Sequence, residues 1–156
     1  MKKWLFCTLV VVMVPILSYG GFGGEDVAKL RPVQVVAVSA VHGGVQLRTD
    51  TGDLGIGLDI PEAMESMKQT SPAMIFLDTA EYLLIEPGAE VWLSQLSGYL
   101  RPSCNLCYMV GEADLKKAGE YLQLHQPDLT LVRYEAGERQ LPQLIINEGR
   151  MELVQP

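Results

Sequence analysis

Cys104-Asn105-Leu106-Cys107 is a C-x-x-C, the spacing in this 156-residue sequence that thiol chemistry could use. A redox pair of this kind sits at a helix amino terminus, where the dipole lowers the pKa of the first thiol. Leu141-Pro142 ahead of a predicted strand resembles the proline that precedes a thioredoxin strand. An exported thiol–disulfide oxidoreductase using Cys104 and Cys107 is therefore one reading. The local pattern argues against it. S-C-N-L-C-Y-M-V alternates as a strand, with Cys104, Leu106, Tyr108 and Val110 on one face and Asn105, Cys107 and Met109 on the other. Sulfurs on opposite faces diverge, whereas a disulfide holds its Cβ atoms within about 4.5 Å. The next helix begins only after Gly111, and Arg101, the nearest cation in sequence, stands behind Pro102. The expectation is two small buried thiols and no catalytic residue.

The other polar candidates are weaker. His42 beside Gly43-Gly44 reads as a turn residue, and His125 falls at a predicted helix end, where a cation suits the dipole. A zinc site lacks its second ligand pair, so no metal is expected. Gly52-Asp53-Leu54-Gly55-Ile56-Gly57 has neither the G-K-[ST] ending nor the G-x-G-x-x-G spacing of a phosphate loop, and Asp53 would repel a phosphate. It reads as a glycine-rich connection, and no cofactor is expected. Asp78 and Glu81 flank an apolar segment, as residues of a cleft or of a solvated turn.

The bulk numbers exclude some partners. Net charge is −7, and without Lys2 and Lys3 there are 10 basic residues against 19 acids, or −9. Such a surface repels phosphate backbones and anionic lipids, so nucleic acid is not an expected partner. Lys2-Lys3, the apolar stretch Trp4 to Leu17 and the small residues of Ser18-Tyr19-Gly20 form a signal sequence. Cleavage falls between Gly20 and Gly21, and an uncleaved amino-terminal anchor is the alternative. No later segment is apolar for the roughly twenty residues that span a bilayer. An exported, extracytoplasmic protein is expected, without a transmembrane segment after cleavage.

Three parts follow: a signal at 1–20, a flexible junction at 21–31 and one mixed α/β domain at 32–156. V-Q-V-V-A-V-S-A-V after Pro32 is dense in β-branched residues and predicts a strand, turned at His42-Gly43-Gly44 into V-Q-L-R-T-D-T. Gln46, Arg48 and Asp50 should face water. Asp59-Ile60-Pro61-Glu62 opens a helix with a buried stripe at Ile60, Ala63, Met64 and Met67. Ala73 to Leu77 and Tyr82 to Ile85 are two short apolar runs, read together as the central strand segment with Phe76 buried on it. Trp92, Leu93, Leu96, Tyr99 and Leu100 mark a second helix, and Leu115, Ala118 and Leu122 a third, ended by Pro127. Leu129 to Tyr134 reads as a strand, Glu135 to Gln140 as a polar loop. Pro142 to Asn147 and Met151 to Val154 close the chain as a hairpin around Glu148-Gly149. The class is α/β, α+β-like: a mixed sheet with three helices packed on it and hairpins at both ends.

This order resembles the amino-terminal domain of the C subunit of spore germinant receptors, the Ger(x)C lipoproteins. The resemblance rests on Glu25-Asp26-Val27-Ala28-Lys29-Leu30 before V-Q-V-V-A-V-S, on Gly57 and I-P-E-A-M-E-S-M, and on M-I-F-L, Y-L-L-I-E, L-S-G-Y-L-R-P, N-L-C-Y-M-V-G and A-D-L-K-K-A-G-E-Y-L. It spans about Glu25 to Leu124 in pattern and order. It implies a non-enzymatic interaction domain with a protein partner at the membrane surface, acting in germination or sporulation. An exported domain of unrelated role, an envelope-assembly or small-ligand-binding module, is the alternative. The family's lipidated cysteine has no counterpart at Gly20-Gly21, and family members continue into further domains, which implies a stand-alone, unlipidated relative.

Overall fold

A computed structural model of the chain describes residues 30–156. The predicted signal, its Gly20/Gly21 cleavage point and most of the junction lie outside the described residues. β1 (Leu30–Pro32) takes in the last two residues of that junction. β2 (Val35–Val41) forms where β-branched residues crowd, and His42 and Gly43, both at positive φ, turn the chain into β3 (Gly44–Thr49). β4 (Leu54–Gly57), helix α1 (Ile60–Thr70) and β5 (Met74–Phe76) follow. β6 (Tyr82–Ile85), α2 (Leu93–Leu96), β7 (Asn105–Val110), α3 (Leu115–Leu124), α4 (Leu131–Glu135), β8 (Gln143–Asn147) and β9 (Arg150–Val154) complete the order.

Seven strands form one sheet in the order β4-β3-β2-β6-β7-β8-β9. The middle four, β2, β6, β7 and β8, are parallel, and antiparallel hairpins extend the sheet at each side. This is the expected mixed α/β fold with hairpins at both ends. One face packs under α1, α2 and α4 through Val36, Val38, Leu83, Ile85 and Leu106. The other packs under α3 through Val35, Ala37, Tyr82, Leu84, Cys107 and Met109. All four residues of β6 are buried, so this strand has a covered face on each side. No helix among the described residues is long and apolar enough to cross a membrane.

Helix α1 starts as its sequence requires. The Asp59 carboxylate accepts from the Glu62 amide at 2.9 Å, Pro61 stands in the first turn, and Ile60, Ala63, Met64 and Met67 are buried. The opposite rim of α1 seals the sheet edge. Glu62 accepts from the Leu58 amide, Ser66 from the Ile56 amide, and Thr70 donates to the Leu54 carbonyl. Residues four apart lie on one line of the helix, so three side chains satisfy backbone groups that an edge strand leaves open.

Four expectations need correction. Ala73 to Leu77 is not central: β5 pairs only with β1, in a separate two-stranded sheet, and Leu77–Thr79 is a 3₁₀ turn. Phe76 is consequently half-buried, and the central segment is β6 alone. The glycine-rich connection is strand β4, in which Gly55 and Gly57 alternate with Leu54 and Ile56. A Cβ at Gly55 would overlap the Ala63 carbonyl oxygen and one at Gly57 the Ala63 amide nitrogen, so the glycines let α1 lie against the strand. Gly55→Val is expected to cost at least about 1–3 kcal/mol by prising helix from strand, measured by denaturant unfolding. The second helix is short: a 3₁₀ turn at Glu90–Trp92 and one α-turn at Leu93–Leu96, leaving Tyr99 outward. Leu129 to Tyr134 is not a strand. Leu106 donates to the Leu129 carbonyl and Thr130 makes one bridge to Asn105, after which the chain coils into α4. β6 takes one flank of β7 and β8 takes the other from Tyr108 to Val110, which leaves this segment a single bridge at the Asn105 end.

Candidate functional site

Cys104 and Cys107 are both free and both buried. Cys104 belongs to the cluster under α1 and α2, Cys107 to the one under α3, with the sheet between them. Burial pushes both thiols up to about 12, the opposite of what a nucleophilic thiol requires. The structure therefore keeps apart the two candidates that sequence spacing brought together. His42 sits in the β2–β3 turn at φ 29°. His125 caps α3, with its ring stacked on Tyr121 at 4.3 Å and Nδ1 3.1 Å from the Tyr121 carbonyl oxygen. Asp78 lies in the 3₁₀ turn, and Glu81 accepts from Gln34 and pairs with Arg101 at 3.6 Å before the start of β6.

The polar cavity forms elsewhere, from a mismatch of strand lengths. Val38 on β2 and Tyr108 on β7 are both in register with Ile85, where β6 ends. β2 runs on through Ser39, Ala40 and Val41, and β7 through Met109 and Val110. A notch is left above β6, between its longer neighbours. The chain leaves β6 towards α2 on one face of the sheet and leaves β7 through Gly111 and Glu112 towards α3 on the other. Diverging exits at the carboxyl ends of parallel strands open a crevice at such a topological switch point.

This crevice has a volume of about 520 Å³ and is lined by Ser39, Gln46, Arg48, Glu86, Gly111 and Glu112, with Ala40 and Val41. Arg48 Nη2 bonds Glu86 Oε1 at 2.6 Å across its floor. Ser39 and Gln46 are opposite one another in the β2–β3 register. Sequence reasoning placed Gln46 and Arg48 in water, Ser39 in the first strand, Glu86 in a closing turn and Glu112 at the start of the third helix, with no cavity among them. The available signal was a serine near the carboxyl end of an otherwise apolar β-branched strand.

Over β3 and β4 the α3 face carries no helix among the described residues. Leu54, Ile56 and Leu58 are 43%, 52% and 69% exposed there, in an apolar strip with Val41 and His42 beside it. On the other face, Tyr108 donates to Glu90 at 2.7 Å beside a second cavity lined by Leu93, Ser94, Leu131, Tyr134 and Arg139. That bond holds the Glu90 carboxyl below its usual range, while burial and then Glu90 push Tyr108 up to about 12.

No protein-family model, curated protein or solved structure matches this chain.

Proposed function

We propose that this chain is a non-enzymatic, exported interaction domain allied to the Ger(x)C amino-terminal domain, working at the membrane surface in germination or sporulation. The observation that carries this is the exposed strip Leu54, Ile56 and Leu58 on the uncovered part of the sheet. Large apolar side chains grouped on one face favour a protein contact over open water. The partner is a protein with an apolar centre and a basic rim. Asp50, Asp53 and Asp114 outnumber Arg48 and Lys116 in the cavity at the Leu54 end of the strip, and Glu62 lines the one at the Leu58 end. An anionic membrane would be repelled by these groups and by the net negative charge. Strand addition is not the mode of contact, since α1 already occupies the outer edge of β4. Of the segments quoted for the resemblance, five fall on β2, α1, β6, β7 and α3 in that order, while M-I-F-L falls on β5 outside the main sheet and L-S-G-Y-L-R-P runs on beyond α2.

A photo-crosslinking residue at Ile56 of the full chain, expressed in its own cells, is expected to yield a discrete adduct with one basic envelope protein. Leu58→Asp should abolish the adduct, and the same probe at Leu124, 83% exposed on α3, should give none. Fractionation should place the protein outside the cytoplasm, in spores or in vegetative cells according to its stage of action. Retention in the cytosol, or equal adducts from both positions, would reject the reading.

A further inference from the structure

We propose that the crevice above β6 is a binding site for a small primary ammonium ligand, independent of the apolar strip. Three observations converge. The cavity lies where the exits of β6 and β7 part to opposite faces, the place in open α/β sheets where ligands are bound. Ser39 is only 6% exposed and lines it, yet its hydroxyl has no hydrogen-bond partner among the described residues. Arg101 Nε is the one fully buried side-chain nitrogen or oxygen without a partner among the described residues, so the Ser39 hydroxyl is not cut off from solvent and is open to a bond from whatever fills the crevice.

The third observation is the balance of donors and acceptors. Arg48 is committed to Glu86 Oε1, which neutralises one charge of each sign. Glu86 Oε2, the Glu112 carboxylate, which has no ion pair among the described residues, Ser39 Oγ and the Gln46 carboxamide oxygen remain as acceptors lining one space. An R–NH₃⁺ group carries three donors that these acceptors can take up, and one positive charge that offsets the carboxylate left uncompensated once Arg48 and Glu86 are paired. A metal ion fits less well, because among the described residues no group of three His, Cys, Asp or Glu side chains converges. The acidic surface raises the local concentration of cations around the entrance.

The test is a titration of the isotope-labelled protein with ethanolamine, read by backbone amide shifts, with tetramethylammonium as a cation that lacks N–H donors. Ethanolamine is expected to give saturable shifts at Ser39, Gly111 and Glu112 that tetramethylammonium does not reproduce. Glu112→Gln should weaken binding about tenfold and Ser39→Ala about threefold, since a charge-assisted bond counts for more than a neutral one. Both variants should unfold at the denaturant midpoint of the parent, so that loss of binding is not loss of fold. Equal shifts from the two cations, no saturation up to about 10 mM, or binding indifferent to both substitutions would overturn the proposal. None of these outcomes bears on the crosslink from Ile56.

Discussion

Leu84→Ala is expected to lower the free energy of unfolding by about 2–5 kcal/mol. Leu84 is fully buried on β6, packed beneath α3 among Val35, Tyr82, Cys107 and Leu122. Neighbouring strands in register on both sides prevent the cavity from collapsing. Phe76→Ala removes a larger side chain but should cost less, because Phe76 is half-buried on a three-residue strand outside the main sheet. Paired denaturant titrations decide the order. A larger loss at Phe76 would mean that the centre of the core lies at β5 instead.

Alkaline pH should unfold this protein through its thiols. Cys104 and Cys107 shift from an ordinary value of 9.0 to about 12 in the fold, first because burial disfavours the thiolate. Their folded pKa is raised, so the neutral form is favoured in the native state. The associated stability is fully present below pH 9, where folded and unfolded thiols are both protonated. It is lost as pH rises from about 9 towards 12, because only the unfolded chain releases protons there. Each thiol contributes a slope of about 1.4 kcal/mol per pH unit within that window. Tyr108, also raised to about 12 by burial and then by Glu90, adds to the decline above its ordinary 10.0. Cys104→Ala/Cys107→Ala should flatten the limb between pH 9 and 10, with the tyrosine part remaining above it. An unchanged limb in the double variant, or a disulfide in protein purified without reductant, would contradict the buried-thiol assignment.

Much of the architecture was legible in local pattern. The cap at Asp59, the stripe of α1, the alternation that sends Cys104 and Cys107 to opposite faces and the two hairpins all appear where the residues indicate. Each is decided within a few residues, by a cap, a turn or a period of 2 or 3.6. L-G-I-G misled because glycine at the inward positions of β4 reads as a loop until a helix is known to lie on it. L-T-L-V-R-Y misled because its strand pattern is sound, while β7 offers it only the short flank at Asn105 that β8 leaves open.

The crevice was not legible at all. Ser39, Gln46, Arg48, Glu86 and Glu112 are spread over more than seventy positions, and no spacing between them repeats a known motif. What brings them together is that β6 ends before β2 and β7 do, and that the chain leaves β6 and β7 towards opposite faces. Strand composition determined which residues could sit in a sheet. Strand order, relative length and the face taken by each connection decided which polar groups share a cavity, because those depend on contacts between segments far apart in the chain.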